Sequence, residues 1–218
     1  MIHTGSKNNE EAMELVKNLA DVRSGDLVTS VDQHSVVFIK DVSHLNQENL
    51  EEELAAIASS LADNIHTEAM IKVRVGYGNV VQQLPELTDS YQEARMALEV
   101  GRVFYAERDT ISYGKLGIGR LIYQLPMSLC QMFIKEVFGE KVPEILDDEE
   151  AMSTISKFFE NNLNISETAR QLYVHRNTLV YRLERIEKAI GLDIRTFEDA
   201  MTFRIAVLVI AHMKDQNI

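Results

Sequence analysis

Apolar side chains recur along this chain first at helical, then at strand, then again at helical spacing. Residues 9–22 (NEEAMELVKNLADV) put Met13, Val16, Leu19 and Ala20 on one helical face, with acids near the start and Ser24-Gly25 as the stop. The segment DLVTSVDQHSVVFIKDVS predicts two strands joined at Asp32-Gln33-His34, and the unbroken run Val36 to Ile39 reads as part of a central hairpin covered on both faces. From Asn46 onward, Leu50, Leu54, Ile57, Leu61 and Ile65 fall at helical spacing with glutamates opposite, so this helix should cover the sheet. Ile71, Val73, Val75 and Tyr77 alternate as a half-buried strand. TDSYQEARMALEVG reads as a helix capped by Thr88 and stopped by Gly101, and TISYGKLG as a last strand. Helix, two strands, helix, strand, helix, strand is the order of an α/β domain with a mixed sheet over roughly residues 8–116.

Beyond it the pattern turns wholly helical. LPMSLCQMFIKEVFG and DDEEAMSTISKFFENN predict two helices, with Gly117, Gly119 and the polar segment 139–149 as candidate hinges. NISETARQLYVHRNTLVYRLERIEKAIG has the build of a helix-turn-helix. Ser166 is the expected cap of a short helix through Leu172, Ala169 is small where a second helix must come close, and YVH makes the turn. A longer helix from Arg176 to Ile190 carries Leu179, Leu183, Ile186 and Ile190 as one stripe, which should pack on the first helix and on Phe158 or Phe159. Its outer face is expected to present Asn177, Arg182 and Arg185, with His175, Arg176 and Thr178 at the positive end of the helix dipole. The closing TFEDAMTFRIAVLVIAH is apolar nearly all round in its second half, which fits either a deeply packed helix or a dimer interface.

Charge sharpens this reading. The formal net charge is −12 over 218 residues, yet residues 151–218 hold nine Lys/Arg against eight Asp/Glu, so all the acidity lies earlier. A helix fits the major groove, its first residues reach base edges, and guanidinium groups pair with guanine or phosphate. An acidic protein can therefore bind DNA if its basic residues are gathered on the docking helix, and affinity should fall as salt is added. Ser166 and Arg170 are added as backbone contacts from the first helix. The expected partners are a double-stranded DNA operator and a second copy of the chain, because one recognition helix buries little surface. Cys130 has no partner for a disulfide, and the longest apolar run, Ile205 to Ala211, is far too short for a membrane span; a cytoplasmic protein is expected.

ISETARQLYVHRNTLVYRLERIEKAIGLDI closely resembles the C-terminal helix-turn-helix of the PucR/CdaR family of bacterial transcriptional regulators and, more distantly, the Fis-type helix-turn-helix. VRVGYGNVVQQLPELTDSYQEARMALEVGR is similar to the GGDEF-like middle domain of the carbohydrate diacid regulators. The resemblance implies a GGDEF-like, ferredoxin-like α/β domain at 1–116, a helical linker at 117–148 and a PucR-type DNA-binding domain at 149–218. It also implies control of a metabolic operon by a small-molecule effector, although nothing ahead of residue 8 supplies the usual ligand-recognition domain. Tyr173 stands where many such turns use glycine; a positive φ there would cost of order 1 kcal/mol.

Two other readings compete. A nucleotide-cyclising enzyme needs glycines and acids at the hairpin tip, where this chain has SVDQHS with Asp32 alone, and the strand expected to carry a metal-binding aspartate ahead of the first helix reads as missing. An interaction or ligand-sensing module is suggested by YGKLGIGRLI, but a phosphate loop starting at Gly117 would need glycine where Ile122 stands. The histidines, His44 and His66 among them, show no metal spacing, so no catalytic residue, metal or cofactor is expected.

Overall fold

The computed structural model describes residues 1–5 and 9–216; the expected limits at residues 8 and 218 fall outside them. The chain forms two compact units, Met1–Leu121 and Ile122–Ile218.

The first unit runs β1 (Ile2–His3), α1 (Glu10–Leu19), β2 (Leu27–Asp32), β3 (Ser35–Ile39), α2 (Leu50–Ala69), β4 (Arg74–Tyr77), α3 (Leu87–Phe104) and β5 (Thr110–Ser112). The sheet order is β2-β3-β1-β4-β5, antiparallel except for the parallel pair β4–β5. This is the mixed sheet that the pattern implied, with two differences. A strand does precede α1 and lies mid-sheet, but its residues are Ile2 and His3, with no acid. The hairpin is not central: β2 is an edge strand and is largely exposed.

One face of the sheet is closed by α1 and α2. Ala12 and Val16 pack with Ala58, Leu61, Ile65, Val36 and Val75, whereas Leu19, expected in this stripe, is exposed. Asn9 is buried and its Nδ2 lies 2.6 Å from the Asp32 carbonyl and 2.8 Å from Ser30 Oγ, which ties the start of α1 to the hairpin tip. Asp26 is likewise buried. Burial alone would raise its pKa, but hydrogen bonds from Lys40 Nζ at 2.7 Å and from the amides of Asp41 and Asp21 hold the carboxyl below the usual range.

Val75 points to α1 and α2, so its neighbour Gly76 must point the other way. There α3 presses on the strand: a Cβ on Gly76 would sit 2.5 Å from the Ala94 carbonyl oxygen. Gly101 serves the same purpose one layer on. It lies inside α3 rather than stopping it, and a Cβ would meet Ile111 Cδ1 at 2.3 Å. Thr88 is likewise inside α3, which follows a 3₁₀ turn over Leu84–Glu86.

α4 (Ile118–Tyr123) spans the boundary between the units, and the second unit continues with α5 (Met127–Phe138), α6 (Glu149–Glu160), α7 (Ile165–Gln171), α8 (Arg176–Ile190) and α9 (Phe197–Gln216). Phe158 and Phe203 centre its core with Leu179, Leu183, Ile186 and Ile190 of α8, so the expected stripe is the buried one. Along α9, Ala200, Phe203, Ala206, Val209 and His212 are buried, while Phe197 and Met201 are exposed. No described helix is long and apolar enough to cross a membrane.

Candidate nucleic-acid interface

A short helix, a tight turn and a longer helix build the candidate site. The cap of α7 is Asn164, whose side chain accepts a hydrogen bond from the Glu167 amide at 3.1 Å; Ser166, expected in that place, lies one residue inside the helix and is exposed. Thr168 and Ala169 are buried where α7 meets α8, as a small contact residue requires. The turn closes by two bonds, the Val174 amide to the Ala169 carbonyl at 3.0 Å and the Tyr173 amide to the Arg170 carbonyl at 3.2 Å. Such a closure puts its pivot residue in the left-handed region, and Tyr173 has φ +54° with its side chain 96% exposed.

His175 is the N-cap of α8, its Nδ1 accepting from the Asn177 amide at 3.3 Å. Behind it Arg176, Asn177 and Thr178 are exposed, beside first-turn amides that carry the positive end of the helix dipole. No acid occupies that first turn. Among the described residues, Arg176 and Lys188 make no ion pair. This end can take phosphate on its amides and offer Arg176 and Asn177 to base edges.

The expected cationic face divides differently. At ~100° per residue, Asn177 and Arg182 lie roughly 140° apart around the helix, so they do not share a face. Directly opposite the buried stripe stand Asn177, Tyr181, Glu184 and Lys188; Tyr181 is 68% exposed. Arg182 lies on the flank facing α6 and pairs with Glu150 at 2.7 Å. Arg185 pairs with Asp148 at 3.0 Å, the same carboxylate that caps α6 through the amides of Glu150 and Ala151. On α7, Arg170 is joined to Glu167 at 2.7 Å, and that hydrogen bond holds the Glu167 carboxyl below its usual range. Of the expected contact residues, Arg176, Asn177 and Thr178 are thus together and unencumbered. Arg170, Arg182 and Arg185 already hold carboxylates. A wheel drawn from the leucine stripe alone would have found Tyr181 and Lys188.

The hairpin tip of the first unit turns through Gln33 and His34, with the Asp32 carboxylate accepting from the His34 amide at 2.7 Å. It has neither glycine nor a second acid to hold a nucleotide.

Comparison with known proteins follows the two units. Residues 1–100 match the model of the GGDEF-like domain, and residues 151–209 that of the PucR C-terminal helix-turn-helix domain. The chain is 30% identical over 159 residues to the purine catabolism regulatory protein of Bacillus subtilis, covering 71% of this chain and 30% of that protein. It is 23% identical over 203 residues to the proline-responsive transcriptional activator PutR of Bacillus subtilis, covering 90% and 49%. To the carbohydrate diacid regulator of Escherichia coli it is 26% identical over 138 residues, covering 63% and 35%. The chain therefore spans between 30% and 49% of the length of these relatives.

Proposed function

Because the chain is of the PucR/CdaR type, with a GGDEF-like domain followed by a PucR C-terminal helix-turn-helix domain, we propose that it is a sequence-specific DNA-binding transcriptional regulator. The observation that carries this is the bare first turn of α8, where Arg176, Asn177 and Thr178 stand exposed behind the His175 cap. In this reading α8 enters the major groove by that end, and Ser166 and Arg170 meet the backbone from α7. Arg182 and Arg185 reach phosphate by exchanging one carboxylate partner for another.

The regulator acts in the cytoplasm as a homodimer on half-sites about 34 Å apart and controls a metabolic operon in response to a small-molecule signal. Its GGDEF-like domain is regulatory and noncatalytic. We retain the division into 1–116, a helical linker over 117–148 and a DNA-binding domain from 149 as its working organisation.

The test is recovery of enriched sequences from fragmented genomic DNA on the purified chain, followed by titration of the winner at several salt concentrations. Affinity should fall linearly on a logarithmic plot, with a slope of about −0.9 per phosphate neutralised. Arg176→Ala should weaken binding by roughly 1–3 kcal/mol if it reads a base and lower the slope by about 1 if it meets a phosphate. No enriched sequence, or affinity that rises with salt, would overturn the proposal.

A further inference from the structure

The two faces of the sheet in the first unit are covered unequally. Val28, Val36 and Phe38 pack into the core under α1 and α2, so by alternation Thr29, Val37 and Ile39 face the other side, joined by Val31 at the irregularity in β2. On that side α3 packs against β4 and β5. The antiparallel strands β2 and β3 keep an apolar face without a helix over it, where an antiparallel sheet open to water normally carries polar residues. Between this floor and the first turns of α3 lies a cavity of about 440 Å³, within the ~300–1,000 Å³ span of small-molecule sites.

Its walls have a specific chemistry. Val31, Val37, Ile39, Val81 and Leu87 make it mainly apolar, with Tyr91 as an aromatic wall. The hydroxyls of Thr29, Thr88 and Tyr91 make no hydrogen bond among the described residues and stand ready for a ligand. The lining holds no carboxylate in a chain of net charge −12. Its one side-chain ammonium, Lys40, is already neutralised by Asp26 at 2.7 Å, and the amino group of Met1, also in the lining, donates to the Gly76 carbonyl at 2.7 Å.

The rim is formed in advance. Ser90 Oγ donates to the Asn79 carbonyl at 2.9 Å, and the Asn79 amide and Nδ2 donate to Glu93 at 2.8 and 2.9 Å. The loop comes so close to α3 that a Cβ on Gly78 would lie 2.2 Å from the Ser90 carbonyl oxygen. Ordering the site on binding therefore costs little.

We propose that this cavity between β2, β3 and the start of α3 binds an uncharged, amphipathic small molecule, with its aromatic or branched aliphatic body on the valine floor and a hydrogen-bonding end at Thr29, Thr88 and Tyr91. The proposal goes beyond DNA binding and does not depend on it.

The test uses the full chain and N-phenyl-1-naphthylamine, a neutral aromatic amine whose fluorescence rises when it leaves water. One saturable site per chain is expected. Val31→Glu and Thr29→Trp, both at exposed floor positions, should each weaken binding at least tenfold, the first by charge and the second by filling the space. If Val31→Glu does not fold, Thr29→Trp carries the test alone. Met201→Glu, in the apolar cleft of the second unit with Phe159, Leu163 and Phe197, should leave binding unchanged. 1-Anilinonaphthalene-8-sulfonate, the same rings bearing an anion, should bind at least tenfold more weakly.

Absence of saturable binding, indifference to both floor variants, or loss through Met201→Glu would overturn the site. Equal binding of the sulfonate would overturn the uncharged class. If the parent chain binds no probe and Val31→Glu splits a dimer in light scattering, the face is an interface between copies and the proposal fails.

Discussion

The inward and outward sides of α8 obey different rules although they alternate within one short sequence. Inward, Leu179, Leu183, Ile186 and Ile190 meet α7 and the Phe158–Phe203 core. Outward, Asn177, Tyr181, Glu184 and Lys188 are exposed. Between them a flank of two arginines is claimed by the acids of α6. Apolar burial, shared with Ala151, Ile155 and Phe158 of α6, fixes where the helix sits, while charge on its flank adds partly exposed ion pairs to α6. Only the remainder is free to contact something else. A count of basic residues merges the last two roles, and the structure separates them.

The largest effect should come from the inward side. Leu183 is 1% exposed, and Leu183→Ala removes its buried methyls and leaves a cavity, which typically costs ~2–5 kcal/mol. Chemical denaturation should show that loss, whereas Tyr181→Ala should stay within about 0.5 kcal/mol of the parent because Tyr181 buries little. If the two variants proved equally destabilising, the division of α8 into a structural and a free side would be wrong.

What the sequence disclosed follows the same division. The leucine stripe and the limits of α8 at Arg176 and Ile190 were legible because period and burial agree over four turns. The sheet's central strand was not, since Ile2 and His3 are too few residues to show any period. Gly101 was read as a stop because local rules assign glycine to helix ends; its actual reason, the approach of Ile111, lies on a strand ten residues further on. The partners of Arg182 and Arg185 sit 32 and 37 residues upstream, where only the tertiary fold of the second unit brings them close. Asn164 displaced Ser166 as a cap because Asn162 and Leu163 take positive φ just ahead of it and bring Asn164 to the helix start, so α7 begins at Ile165, earlier than a Ser166 cap would place it.

A smaller effect belongs to the turn that aims α8. Tyr173 holds φ +54° in a closure that suits glycine, at a cost of roughly 1–2 kcal/mol for a residue bearing a Cβ, and its exposed ring returns little by burial. Tyr173→Gly relieves that strain but gives the unfolded chain more freedom, worth about 0.5–1 kcal/mol. The expected result is a net gain of up to about 1 kcal/mol, read as a raised melting temperature. A clear loss would mean that the ring makes contacts within the folded chain that outweigh the strain. Weaker DNA binding by a variant that is more stable would separate a contact role for Tyr173 from its conformational one.

The flank gives the smallest effect. Arg182 and Glu150 form a partly exposed pair, so a double-mutant cycle on stability should return only ~0.2–1 kcal/mol. The sign of its effect on DNA binding is more telling. If Arg182 leaves Glu150 for a phosphate, Glu150→Gln removes the competitor and raises affinity, and the gain vanishes in the Arg182→Ala background. If Arg182 only holds α6 in place, Glu150→Gln does no more than delete one negative charge near the groove. Glu149→Gln measures that plain charge effect, because Glu149 is the exposed neighbouring residue at the same end of α6 and makes no ion pair among the described residues. Equal gains from Glu149→Gln and Glu150→Gln would therefore confine Arg182 to the structural side of the helix, leaving Arg176, Asn177 and Tyr181 to carry recognition.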